Sequence, residues 1–267
     1  MTEPVNVPPS DDFWRDYLEK GEPYIRIGRK VFSAIPSDPR CRLCTAPFGG
    51  LGAPFMRVIG RKPSIANPHL CTACQNALIK YHGGAEVTGT MLFADVRGST
   101  ALAERMSPVE FKALMERFYG AASRAVIRHD GAIDKFVGDE LVAFFYPALA
   151  GERHVAAAIG AAQDLLRETG HASPGEPWAP VGAGIHTGKV WFGAVGEGSH
   201  VELTSLGDVV NTTARLASTA GAGEILVTVE AASSIGLDAN LERRSLQVKG
   251  KEQPIDVVVV GVGVPIG

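Results

Sequence analysis

The sequence predicts an α+β fold preceded by a small cysteine module, and three observations carry that prediction. Short apolar runs bounded by turn residues, Met91 to Ala94, Ile133 to Val137 and Leu141 to Phe145, read as strands. Between and after them, apolar residues recur at spacings of three and four, the period of a helix with one buried face. A strand, a helix and then a hairpin is the order of an antiparallel sheet with helices packed on it. Finally, all four cysteines fall before residue 84, as two C-x2-C pairs.

Charge marks the same division. The chain of 267 residues has a net charge of −3, but residues 1–84 carry 11 Lys and Arg against 7 Asp and Glu, and residues 85–267 carry 15 against 22. The basic end is too mild and too mixed to point to a nucleic-acid partner, and reads as a separate domain. We therefore divide the chain into an N-terminal region, 1–84, and a larger domain, 85–267. No apolar run approaches the ~18 residues of a membrane span. The opening MTEPVNVPPSDD has neither the basic nor the apolar region of a signal peptide, so a cytoplasmic protein is expected.

Taking the elements in order, residues 1–12 are rich in Pro and Asp and are expected to be mobile. DFWRDYLEK (12–20) predicts a short helix with Phe13, Trp14, Tyr17 and Leu18 packed on their own domain, stopping at Gly21. Cys41 and Cys44 are separated by 26 residues from Cys71 and Cys74. Each pair sets two thiolates close enough for one metal, and the second pair completes a tetrahedral all-sulfur site. The module, about residues 36–82, resembles a treble-clef or ribbon-type zinc module. One Zn²⁺ is the commonest occupant, while a single iron or an iron–sulfur cluster suits the same four thiolates. Two structural disulfides are the alternative, which a reducing compartment disfavours. The Gly- and Pro-rich segment between the pairs could hardly build a core without a metal staple. His82-Gly83-Gly84 reads as a hinge.

In the larger domain, the first strand ends in Asp95 and turns through Gly98-Ser99-Thr100. An acid at a strand end beside a glycine-containing turn suits a metal ion and the phosphates it carries. Ser107-Pro108-Val109-Glu110 starts a long helix, with a Ser cap, Pro at the first position and Glu at the third. Gly138-Asp139 then turns a hairpin, with Lys135 four residues earlier. Antiparallel pairing beside the first strand would bring Asp139 to Asp95, and paired carboxylates that share divalent cations suit phosphoryl transfer. An Ala-rich helix within 151–169 and a glycine-dense strand, 181–196, follow. Glycines at that density mark close backbone approach, and His186 within the strand reads as structural. A helix over 210–216 sets Asn211 and Arg215 on one face. The chain closes with a strand, EILVT, and a hairpin whose turn carries Lys249 and Lys251.

FADVRGST, KFVGDELVAFF, GIHTG, LTSLGDVVNTTARL and the terminal VKGK, in that order, resemble the class III adenylyl and guanylyl cyclase catalytic domain over about residues 86–262. The resemblance implies a ferredoxin-like antiparallel sheet with packed helices. It implies two Mg²⁺ or Mn²⁺ ions on Asp95 and Asp139, purine recognition by Lys135 with Thr204, and a transition-state pair of Asn211 and Arg215. Lys249 or Lys251 is implied at the triphosphate. The Lys/Thr pair is similar to that of the bacterial, bicarbonate-responsive subgroup, which favours ATP over GTP; Leu203 departs from the Tyr common in the family. The implied activity is conversion of ATP to 3′,5′-cyclic AMP and pyrophosphate by a head-to-tail homodimer with shared active sites. The four-cysteine module would regulate it. The alternatives are a guanylate cyclase, or a nucleotide-binding sensor that retains the fold but little catalysis. Gly138-Asp139-Glu140-Leu141 lacks the loop expected of a diguanylate cyclase.

Overall fold

A computed structural model describes residues 10–21, 23–35, 37, 39–65, 67–81, 83–196, 201–237, 240–248, 251 and 253–266. In chain order the elements are α1 (Ser10–Glu19), α2 (Pro23–Ala34), α3 (Ala53–Val58), α4 (Thr72–Lys80), β1 (Gly83–Val96), α5 (Ser99–Arg105) and α6 (Pro108–Arg128). Next come β2 (Ala132–Val137), β3 (Glu140–Phe145), α7 (Pro147–Ala150), α8 (His154–Thr169) and β4 (Val181–Val195). The last are β5 (Glu202–Leu206), α9 (Asp208–Thr219), β6 (Ile225–Thr228), α10 (Val229–Ser234), β7 (Arg243–Leu246) and β8 (Ile255–Val260). Two compact units emerge: one of residues 1–87, 147–149 and 190–206, the other of 88–146, 150–189 and 207–267.

The larger unit is built on a sheet in the order β2-β3-β1-β4-β6-β8-β7. Its first four strands have the ferredoxin-like order, with α6 joining β1 to β2 and α8 joining β3 to β4. β1 pairs antiparallel with β3, setting Leu92 opposite Ala143 and Asp95 opposite Glu140. One face is the main core. Leu92, Ala94 and Val96 of β1, Leu141, Ala143 and Phe145 of β3, and Val181, Ala183 and Ile185 of β4 pack with Phe118, Ala122 and Val126 of α6 and Ile159, Ala162 and Leu166 of α8. Helix α6 starts as its sequence predicts: the Ser107 side chain accepts the Glu110 N–H, and the Glu110 carboxylate accepts the Ser107 N–H at 2.8 Å. His186 is structural, with Nδ1 2.9 Å from Thr228 Oγ1.

α9 lies against the opposite face, where Leu216 and Ala220 pack with Leu226 and Val257. Glycines permit this approach. A Cβ on Gly184 would sit 2.4 Å from the Ala217 nitrogen and 2.7 Å from the Thr213 oxygen, so only a bare Cα fits under the helix.

In the smaller unit, α1 buries Trp14 (2% exposed) and Leu18 (0%). Phe13 stacks on Tyr81 with ring centroids 3.9 Å apart, and Trp14 Nε1 donates to the Tyr81 carbonyl at 2.7 Å. Trp14 also meets the Phe192 ring edge-on, 6.3 Å between centroids. Gly83 and Gly84 are not a hinge: both belong to β1. A Cβ on Gly84 would meet the Phe192 oxygen at 2.5 Å and Gly193 Cα at 2.8 Å, so these glycines serve close strand packing rather than motion. His82 lies outside the described residues, as do residues 1–9 of the segment expected to be mobile.

Candidate active site

Three of the residues singled out from sequence, Asp95, Asp139 and Lys135, converge by strand register. Val96 N–H reaches the Asp139 carbonyl at 3.3 Å, which closes the β2–β3 turn onto the end of β1. The turn itself needs Gly138 at φ +61°, and Tyr119 of α6 donates its hydroxyl to the Gly138 carbonyl while stacking on Phe136, 4.3 Å between centroids. The carboxyls of Asp95 and Asp139 are thereby close enough to shift one another's titration.

Lys135 reaches the same face through a β-bulge. Ile133 pairs with Ala143, yet Lys135 pairs with Val142, so Asp134 is the extra residue. Without the bulge Lys135 would follow Ile133 into the helix-covered core. With it, Lys135 shares the face of Phe93, Val142, Asp95 and Glu140. The Asp134 side chain is 1% exposed, with one carboxylate oxygen 3.9 Å from Lys135 Nζ.

Three acids crowd this place. Burial, with the neighbouring Asp139, raises the Asp95 pKa to about 6, against the pull of Arg97. Burial raises Glu140 to about 7, helped by the charges of Asp95 and Asp139. Burial also pushes Asp139 upward, but hydrogen bonds from Ser99 and Asp95 and the charge of Arg97 leave it below the ordinary value. Neither Glu140 nor Arg97 was singled out by sequence reasoning. The available signal was their position: Glu140 adjoins Asp139, and Arg97 lies two residues past Asp95.

α9 supplies the second pair. Its buried side is Val209, Thr212, Thr213, Leu216 and Ala217, which leaves Asn211 and Arg215, one turn apart, facing solvent. At its start, Lys251 Nζ lies 2.6 and 2.5 Å from the two carboxylate oxygens of Asp208. Lys249 lies outside the described residues. Thr204 is in the smaller unit, nearly buried on β5 opposite Gly193 of β4.

Residues 85–261 match the adenylate and guanylate cyclase catalytic domain. The chain belongs to this family. Among curated proteins, the cyclase domain is similar to an adenylate cyclase of Anabaena cylindrica, 31% identical over 64% of this chain and 36% of the relative. The chain thus spans about a third of that relative's length. Among solved structures it is similar to the guanylyl cyclase Cya2, at 26% identity and a TM-score of 0.61, covering 69% of this chain and 100% of the other. It is also similar to the adenylyl cyclase CyaB of P. aeruginosa, at 28% identity and a TM-score of 0.58, covering 66% and 95%. Cyclase domains of this class act as dimers on a nucleotide and use Mg²⁺ or Mn²⁺. The donor set here fits such a cation: Asp95 and Asp139 perturb one another and Glu140 lies across the ladder from Asp95, so these acids gain from a shared divalent charge.

Ahead of the cyclase domain, the four cysteines form a second candidate metal site. All are free thiols, and their sulfurs lie within 4.8 Å of one another, with Cys44 and Cys71 3.7 Å apart. Four sulfurs each ~2.3 Å from one zinc would be about 3.8 Å apart, so the cluster can hold one metal. The first pair sits in a tight loop, with Thr45 N–H donating to the Cys41 carbonyl at 2.9 Å. Cys71 caps α4 and accepts the Cys74 N–H at 3.5 Å, which places the second pair at the positive end of a helix. Its thiol neighbours, Cys41 first, and that N–H hold Cys71 well below the usual thiol range. Burial pushes Cys41 up. No helix among the described residues is long and apolar enough to cross a membrane.

Proposed function

We propose that this chain is an adenylate cyclase that converts ATP to 3′,5′-cyclic AMP and pyrophosphate as a cytoplasmic head-to-tail homodimer. The observation that carries the reading is the meeting of Asp95 and Asp139 on the sheet face where α9 exposes Asn211 and Arg215. In this reading one protomer offers Asp95, Asp139 and Lys135 to each site, and its partner offers Thr204, Asn211 and Arg215. Two Mg²⁺ or Mn²⁺ ions on Asp95 and Asp139 would neutralise the triphosphate and lower the pKa of the ribose 3′-hydroxyl.

Arg215 meets the charge that grows on the α-phosphoryl oxygens, and Asn211 orients the ribose. Lys135 and Thr204 read the purine edge. Lys251 exchanges Asp208 for the triphosphate, with Lys249 beside it in sequence. The 3′-hydroxyl gives up its proton to solvent as its oxygen bonds to the α-phosphorus, the α–β bridging bond breaks, and pyrophosphate leaves with its electron pair.

The Lys135–Thr204 combination favours adenine. The likeness to Cya2 keeps a guanylate cyclase as the second reading. For the cysteines we propose one Zn²⁺, with iron or an iron–sulfur cluster as the alternative, in a module that regulates the cyclase. One preparation of the full chain tests these points: metal content and visible absorption after anaerobic purification, then product formation from ATP and GTP with Mn²⁺. Colourless protein with zinc that makes cyclic AMP supports the reading, whereas ATP binding without product identifies a nucleotide sensor.

A further inference from the structure

Arg97 follows the candidate metal acid Asp95 by two residues and is itself a cation paired with it. Its guanidinium makes an ion pair with the Asp95 carboxylate. The other prong, Nη1, donates to the Ser218 carbonyl at 3.0 Å, in the last turn of α9. The backbone is fixed independently, since Arg97 N–H donates to the Pro180 carbonyl at 2.6 Å. The fork is incompletely satisfied: its Nε is buried without a hydrogen-bond partner. An arginine with an anchored backbone, two contacts on different elements and an orphaned donor can swing without disturbing the sheet.

We infer that Arg97 is a resident counter-cation that ties Asp95 to the end of α9 and must release both when a divalent cation takes Asp95. The inference rests on the reading of Asp95 as a metal ligand. It assigns Arg97 a positioning role. The guanidinium balances the crowded carboxylates and holds the C-terminal turn of the helix that carries Asn211 and Arg215. When the acid binds a metal ion, that turn is freed, so metal occupancy and α9 position become one equilibrium. The ion pair also competes with the metal and lowers its affinity.

The test uses Mn²⁺ alone on the full chain, with free Mn²⁺ followed by electron paramagnetic resonance. Arg97→Gln removes the competitor and is expected to bind Mn²⁺ about tenfold more tightly, about 1.4 kcal/mol. Hydrogen exchange at the Ala220 amide, which donates to the Leu216 carbonyl at 2.9 Å, reads the helix end. In the wild type Mn²⁺ should accelerate it; in Arg97→Gln it should be fast already and insensitive to Mn²⁺. A variant that binds Mn²⁺ no better than wild type, or an Ala220 amide that ignores Mn²⁺ in the wild type, overturns the inference. If Arg97→Gln does not fold, Arg97→Lys, which cannot span both partners, should still bind about threefold more tightly, and equal or weaker binding overturns the inference there too. Asp95→Asn separates the two ideas: undiminished Mn²⁺ binding there refutes Asp95 as ligand, whatever Arg97 does.

Discussion

Gly184 is where a single methyl group should reach the chemistry from a distance. A Cβ there would stand 2.4 Å from the Ala217 nitrogen, against the 3.4 Å at which ordinary contact begins, so Gly184→Ala must lift α9 from β4 by about 1 Å. The obstruction is backbone and Cβ, not the end of a flexible side chain, so little of it can be relieved by a rotamer change. Overpacking of this kind costs about 1–3 kcal/mol. In a protein of this size that is a fall in Tm of roughly 2–10 °C. Asn211 and Arg215 ride on the displaced helix, and a shift of about 1 Å in a reacting group costs on the order of 100-fold in rate. The assay is cyclic AMP formation under saturating ATP and Mn²⁺, with circular dichroism and a melt on the same sample. Gly261→Ala, where a Cβ meets nothing within 4 Å, serves as the control and should leave both unchanged. A Gly184→Ala protein as active and as stable as wild type would refute the claim that close approach on β4 positions α9.

Mixing Asp95→Ala with Arg215→Ala chains should restore about a quarter of wild-type activity, since half the random dimers are mixed and each has one intact site. No recovery would exclude shared sites. Mn²⁺ binding should strengthen as pH rises from about 5 to 8, because protons leave Asp95 near pH 6 and Glu140 near pH 7, and a flat titration would contradict that. The raised pKa values have the opposite effect on the metal-free fold. Their stabilisation is present below the ordinary values of 3.8 and 4.5 and is lost progressively up to the folded values of about 6 and about 7, so without metal the melt should fall from about pH 4 to about pH 7 and level off above. Trp14→Ala, which empties a site that is 2% exposed and deletes the bond to Tyr81, should destabilise the smaller unit by about 3–5 kcal/mol in a denaturant melt. Cys41→Ser should abolish stoichiometric metal retention, measured by elemental analysis, and retention of one zinc per chain would show that the four thiolates are not the ligands.

Much of the larger unit was legible because its signals are local. The apolar run ending at Asp95, the Ser107 cap and the Gly138-Asp139 turn each state their geometry within a few residues, and the register then brings the two acids together. What stayed hidden depends on partners distant in sequence. β5 is five residues long and becomes a strand by pairing with β4. Gly83-Gly84 misled because freedom and close packing use the same residue, and only the Phe192 backbone distinguishes them. The strand period cannot announce a bulge, so the face of Lys135 was unreadable before pairing was known.

That bulge has a consequence for comparing this chain with its relatives. Ile133 and Lys135 occupy consecutive rungs of the ladder, Ala143 and Val142, as they would if Asp134 were absent. A shorter homologue could therefore omit this one residue and keep every other side chain on its present face, whereas a single deletion at Phe136 would turn the lysine inward. Asp134 marks the spot in β2 where length can vary without turning its neighbours to the other face, and an alignment that places a gap elsewhere in this strand would misplace Lys135.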